Sequence, residues 1–195
     1  VLRNAYTYDR YTDLQEALLT LEARDALTRN FRVVDANQTL RQFADNYLLA
    51  STRAPAYFAA SEGRYRGLVS VDALSSIERS LWETQQVQTL VRPLPDIPTV
   101  REQTPLIEVI DRLEISQLPL ITVLSPADAV AGVIDHGDTV RALAEKMNLP
   151  ISEDEIRRIK EEGAYPASFQ LPAIARSVMG EAAKAQAKAD MESQS

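Results

Sequence analysis

At 195 residues, 45% hydrophobic and 25% charged, the chain has the composition of a globular protein able to bury a core as one domain or two small ones. A formal net charge of -7 argues against a nucleic-acid partner, because phosphate contacts need concentrated Lys and Arg; Arg64 and Arg66 are a local basic cluster suited to solvent or a small anion. The absence of cysteine removes disulfides and thiolate metal sites, and apolar runs such as LPLITVL (118–124) fall far short of the roughly 20 residues of a spanning helix. No direct membrane insertion is expected of these residues.

From the N-terminus, Leu14, Ala17, Leu18 and Leu21 predict a lead-in helix over 12–24, preceded by the tyrosine-rich NAYTYDRY (4–11), which reads as linker packing or a stacking surface. FRVV (31–34) is extended. Leu40, Phe43, Ala44, Tyr47 and Leu48 form an amphipathic helical stripe, with Thr39 and Gln42 spaced as a capping box. PAYFAA (55–60) and RGLVS (66–70) read as strands around an SEG turn, and Leu74, Ile77, Leu81 and Trp82 predict a closing helix with Trp82 in the core.

The pattern then repeats. PTV (98–100) is extended, and Leu106, Val109, Ile110 and Leu113 mark a helix with Pro105 at its start. PLITVL (119–124) and VAGVI (130–134) are strands, and Val140, Leu143, Ala144 and Met147 mark a second helix. Thr39 corresponds to Pro105, Pro55 to Pro119 and Gly67 to Gly132, at offsets of 66, 64 and 65. Each unit reads β-α-β-β-α, and at roughly sixty residues neither can bury its sheet and helices alone. Beyond the repeat, Ser152 and Glu155 form a capping box for a helix that stops at Gly163. AYPASFQLPAIARSVMG (164–180) reads as extended and proline-broken, and the Ala- and Lys-rich end as frayed helix or disorder.

A tandem β-α-β-β-α in which a proline-led strand precedes glycine, two apolar residues, Ser/Thr, two further residues and Asp resembles a cystathionine-β-synthase (CBS) domain pair. The resemblance covers about residues 21–149. It implies an α/β (α+β) fold: tandem CBS repeats in a pseudo-two-fold CBS-pair (Bateman) module, with a lead-in helix and a C-terminal helical tail. The implied organisation is 1–20 linker and lead-in helix, 21–84 first CBS domain, 85–149 second CBS domain and 150–195 a C-terminal extension, partly disordered at its end. The family implies a regulatory role, an AMP, ADP or ATP ligand and a homodimer. NLPISEDEIRRIKEEGAYPASFQLPAIARS (148–177) also resembles the C-terminal end of cyanobacterial site-two-protease-type membrane zinc metalloproteases. That implies a tethered position on the cytoplasmic face, with an HExxH motif and membrane spans encoded upstream of Val1.

In the family, the Ser/Thr contacts phosphate and the Asp contacts ribose. A hydroxyl at a helix start suits an anion because free N–H groups and the helix dipole point there. The first unit offers Ser70 for phosphate, Asp72 one residue early for ribose, and Pro55 and Tyr57 on the base side. The second offers Asp138, Pro119 and Ile121, but Asp135 stands where the hydroxyl belongs and is expected to repel phosphate. Ser70 and Asp135 are equally good N-caps. His136, within DHGD, lacks the convergent partners a metal needs, and a chain with one histidine assembles no catalytic constellation. The expectation is a non-catalytic regulatory module; a ligand-free assembly module and a stand-alone nucleotide sensor are the alternatives.

Overall fold

The structure is a computed structural model that describes residues 2–49, 51, 53–117 and 119–193, with side chains from residue 10 onward. Tyr6 and Tyr8 of the tyrosine-rich segment therefore lie outside the described side chains, and Leu118 outside the described residues.

The first repeat forms a four-stranded sheet in the order β1 (Arg32–Asp35), β2 (Tyr57–Ser61), β3 (Arg64–Val69) and β4 (Val91–Pro93). Strands β1 and β2 run parallel, whereas β2–β3 and β3–β4 are antiparallel. Glu62 and Gly63 make the tight β2–β3 turn with φ of 53° and 73°, the left-handed pair that suits the twist of a two-residue hairpin. At Gly67 a Cβ would stand 1.9 Å from the Arg92 carbonyl oxygen, so the strand β4 can approach only a glycine there. Close strand packing is therefore what requires a glycine at this position.

On this sheet lies α3 (Leu40–Phe43), whose capping box is present: the Thr39 hydroxyl accepts from the Gln42 amide at 3.2 Å, and the Gln42 side chain accepts from the Thr39 amide at 3.1 Å. The helix widens into a π-turn over Ala44–Leu48. Leu40 and Phe43 are fully buried, Tyr47 half-buried, and their core includes Val34, Tyr57, Val69 and Leu90.

The closing helix expected on Leu74, Ile77, Leu81 and Trp82 is absent from the first repeat. Two short 3₁₀ turns, Val71–Ser76 and Arg79–Leu81, flank an extended Ile77. The Ser75 hydroxyl donates to the Asp72 carbonyl at 2.7 Å and the Trp82 indole N–H to the Ile77 carbonyl at 3.0 Å. Such side-chain bonds take carbonyls that a continuous helix would use. Leu74 is buried, Trp82 half-buried and Leu81 exposed.

The second repeat keeps its full order. A three-stranded sheet, β5 (Thr99–Arg101), β6 (Leu120–Leu124) and β7 (Val130–Asp135), accompanies α4 (Leu106–Ser116) and α5 (His136–Lys146). Leu106, Val109, Ile110 and Leu113 are buried, as the stripe requires. The lead-in helix α1 spans Leu2–Thr20 rather than 12–24 and is followed by the short α2 (Ala23–Ala26). After the repeats, Ser152 caps α6 (Glu153–Glu162) reciprocally with Glu155, and Gly163 ends it at φ 63°. Residues 171–180 are not extended: α7 runs from Leu171 to Ser193. Pro172 falls in its first turn, where a missing N–H costs nothing, and the Ala- and Lys-rich remainder has high helix propensity.

The chain forms two compact units, Thr28–Thr99 with Thr122–Val133, and Val1–Leu27 with Val100–Ile121 and Ile134–Ser195. The former holds the four-stranded sheet and its core. Within the latter, α4 packs against α1, α5 and α7, and α6 packs on α5.

Candidate ligand site

In the first repeat the chain leaves β3 at Ser70. Its amide donates to the Leu90 carbonyl at 2.9 Å and its carbonyl accepts from the Ala73 amide at 3.1 Å, which fixes the backbone of the turn. The half-buried Ser70 side chain makes no capping bond. Asp72 is exposed two residues on, so a hydroxyl and a carboxylate share one short turn. Beside it Val71, Leu74, Ile77, Arg79 and Trp82 line a cavity of about 370 Å³, with the Arg79 guanidinium 5.8 Å from the centre of the Trp82 ring.

Pro55 is exposed just before β2, but Tyr57, expected on the base side, is 1% exposed. Its hydroxyl accepts from the Ala54 amide at 3.0 Å and donates to the Tyr47 carbonyl at 3.3 Å, and its ring meets Phe43 edge-on at 5.3 Å. No face of that ring is free for a base.

In the second repeat both carboxylates of the polar turn are engaged. Asp135 caps α5 by accepting from the Asp138 amide at 2.9 Å, while the Asp138 carboxylate accepts from the Asp135 amide at 3.0 Å. Lys160 of α6 inserts between the two carboxylates, its Nζ 3.0 Å from both Asp135 oxygens and 2.5 Å from Asp138 Oδ1. Asp135 is therefore not the free negative charge expected from the sequence, since it is paired with the Lys160 ammonium that it shares with Asp138. Burial and the facing Asp135 push the Asp138 carboxyl above the usual carboxylate range, and Lys160 draws it back.

His136, 4% exposed, begins α5 with Nε2 3.5 Å from Glu114 Oε1 and its ring edge-on to Tyr165 at 4.7 Å. Its Nδ1 is buried without a hydrogen-bond partner. Burial pushes His136 below the usual histidine range, against the pull of Glu114 and Asp135. Burial likewise raises the Tyr165 phenol, which lies 2.7 Å from the Thr139 hydroxyl.

Pro119, His136, Glu114 and Lys160 line a cavity of about 390 Å³, to which α6 and its end contribute Glu161, Glu162 and Gly163. Pro119 is thus brought beside the Lys160 that holds Asp138, whereas Ile121 is fully buried in β6. Nothing local in the sequence marks Lys160, Glu114 or Tyr165 as partners of this turn. The one signal is that Lys160 lies a helical turn after the apolar Ile156 and so shares its face.

Residues 87–145 match the family model of the CBS domain. The crystal structure of CBSX2 in complex with AMP aligns with a TM-score of 0.52 at 19% identity, covering 64% of this chain and 96% of that one. The CBS domain of a bacterial CNNM/CorC family Mg2+ transporter in complex with ATP aligns with a TM-score of 0.53 at 13% identity, covering 71% and 97%. The chain folds as a CBS-domain pair. The chain is also similar to the Synechocystis protein named "Putative zinc metalloprotease sll0528", 22% identical over 144 residues, 73% of this chain and 38% of that protein. It spans little more than a third of that relative's length. Among the described residues no helix is long and apolar enough to cross a membrane, and no group of three or more His, Asp or Glu could hold a metal.

Proposed function

We propose that this CBS pair is a non-catalytic regulatory module that senses an adenine nucleotide and controls a membrane zinc metalloprotease to which it is joined, on the cytoplasmic face. The similarity to the Synechocystis relative, over most of this chain and a minor part of that protein, carries the protease reading. Neighbours of the same fold solved with AMP and with ATP support the ligand class. The domain boundaries that go with it are 21–84 and 85–149, flanked by the lead-in helix and a C-terminal extension from 150.

Nucleotide occupies the first repeat in this reading. Ser70, its hydroxyl uncommitted to a cap, meets the phosphate; Asp72 meets the ribose; and Pro55 bounds the base. Binding favours one arrangement of the module and shifts the population of the attached protease with it. Calorimetric titration of the chain with AMP, ADP and ATP tests this. One site is expected, weakened about tenfold or more, roughly 1.4 kcal/mol, in Ser70→Ala. No binding by any of the three removes the sensing role. That outcome selects a ligand-free assembly module, a reading favoured by Asp135 and Asp138 of the second repeat, whose carboxylates are satisfied within the chain. For the protease, the reading frame upstream of Val1 is expected to encode apolar spans and an HExxH motif; a frame lacking both leaves a stand-alone sensor.

A further inference from the structure

We propose that an apolar cavity built by α1, α5 and the C-terminal extension docks a basic, amphipathic segment of the membrane domain to which the chain is joined. The source of that partner rests on the protease reading above; the chemistry of the site rests on geometry.

The cavity holds about 350 Å³, within the range of ligand sites. Its walls include Leu14 of α1, Leu143 and Ala144 of α5, Met147 after that helix, Phe169, and Leu171 at the start of α7. Neither Ser70 and Asp72 nor Asp135 and Asp138 line it, so it is separate from the polar turns of both repeats. Phe169 is 36% exposed, and Leu14 and Met147 are half-buried. Apolar side chains gathered around one hollow, unlike single exposed ones, mark a recognition surface, and a helix can fill it with residues at i, i+3 and i+4.

Charge selects among apolar partners. Glu155 of α6 is the one charged residue among the described residues that line the cavity. Its neighbours in the first turn of α6 are already paired, Glu153 with Arg141 at 3.4 Å and Asp154 with Arg157 at 3.1 Å. Glu155 accepts from the Ser152 amide and hydroxyl through Oε2, at 3.3 and 3.2 Å, while Oε1 has no partner among the described residues. A carboxylate oxygen is thus left beside an apolar hollow. A Lys or Arg adjoining apolar side chains meets it, and an acidic residue there is repelled. The Synechocystis relative is matched over 38% of its length, so most of that protein lies outside the match. Cytoplasmic segments next to membrane spans carry an excess of Lys and Arg, which supplies the combination this cavity selects.

A labelled peptide with Leu at i, i+3, i+4 and i+7 and Lys between them, and its counterpart with Glu for Lys, test the site by fluorescence anisotropy on the full chain. Salt of about 0.15 M screens long-range attraction to the acidic chain. The lysine peptide should bind about tenfold or more tightly than the glutamate peptide. Ala144→Phe fills the cavity, and Phe169→Ala removes wall at a partly exposed position that does not threaten folding. Each should weaken the lysine peptide about threefold or more. Glu155→Gln keeps the capping box and should cut the preference for lysine about threefold or more, with the urea midpoint unchanged. No binding, equal binding of the two peptides, or binding that Phe169→Ala leaves unaltered overturns the proposal. If membrane spans are encoded upstream of Val1 and the lysine peptide does not bind, the docking fails and the protease reading stands. If the peptide binds as expected and no spans are encoded there, the membrane source fails with the protease reading, and the site keeps its chemistry.

Discussion

His136 is the only histidine in the chain, and its surroundings give it a defined effect on stability. Glu114 faces it from α4, Asp135 precedes it, and Tyr165 stacks edge-on from beyond α6; Lys160 and Asp138 lie one contact further. Burial holds its folded-state pKa below the model-peptide value of 6.5. Below that pH the unfolded chain therefore binds the proton first, and stability is lost as the pH falls from 6.5 through the folded value. Asp138, raised above 3.8, acts oppositely, adding stability as it protonates in the folded state. Urea midpoints measured from about pH 7.5 down to about pH 5.5 should fall for the unmodified chain and fall less for His136→Gln, which keeps a donor for Glu114. Equal slopes in the two proteins would assign the acid sensitivity elsewhere. Tyr57→Phe strands the Ala54 amide and the Tyr47 carbonyl. It should cost about 1–3 kcal/mol in chemical denaturation and leave AMP affinity unchanged, because the ring belongs to the core.

At the scale of elements, the approach of β4 to β3 depends on one missing side chain. Gly67→Ala would drive a Cβ into the Arg92 carbonyl. The expected cost is about 1–3 kcal/mol, with faster amide exchange confined mainly to β3 and β4. Exchange that stays unchanged there would show that the strands tolerate a wider spacing. What the sequence disclosed about elements was local. The boxes at Thr39–Gln42 and Ser152–Glu155 are readable because both partners lie within one turn, and the stripe of α4 because burial follows a fixed period. The 71–82 segment has a helical spacing of apolar residues too, yet serine and indole bonds to nearby carbonyls break it into 3₁₀ turns. Within the candidate site, the N-cap at Asp135 is local and legible in the sequence, whereas the reciprocal bond from Asp138 is seen only in the structure. Closure of this cap by Lys160 spans 25 residues along the chain, and no periodicity encodes a pairing at that range. Tyr57 was misplaced for a related reason: a strand residue after a proline does not announce which face it turns to the core.

For the whole molecule, Leu49, Ile115, Val33 and Leu81 remain exposed apolar side chains at 77%, 67%, 46% and 41%. Scattered singly, such side chains are ordinary on a monomer, and the expectation of a homodimer rests on the CBS resemblance alone. Light scattering at tens of micromolar, about where weak specific interfaces already form, should report twice the 21.7 kDa chain mass. A monomer mass at that concentration counts against the homodimer. The unit that contains α1 and α7 has a mechanical property of its own. Both helices bear on α4 and on each other, although they stand at opposite ends of the sequence. Protein interiors are packed too densely to absorb a displacement, so a tilt imposed on α1 must be taken up by α4 and α7. Torque applied near either end of the chain is thus delivered to a common axle.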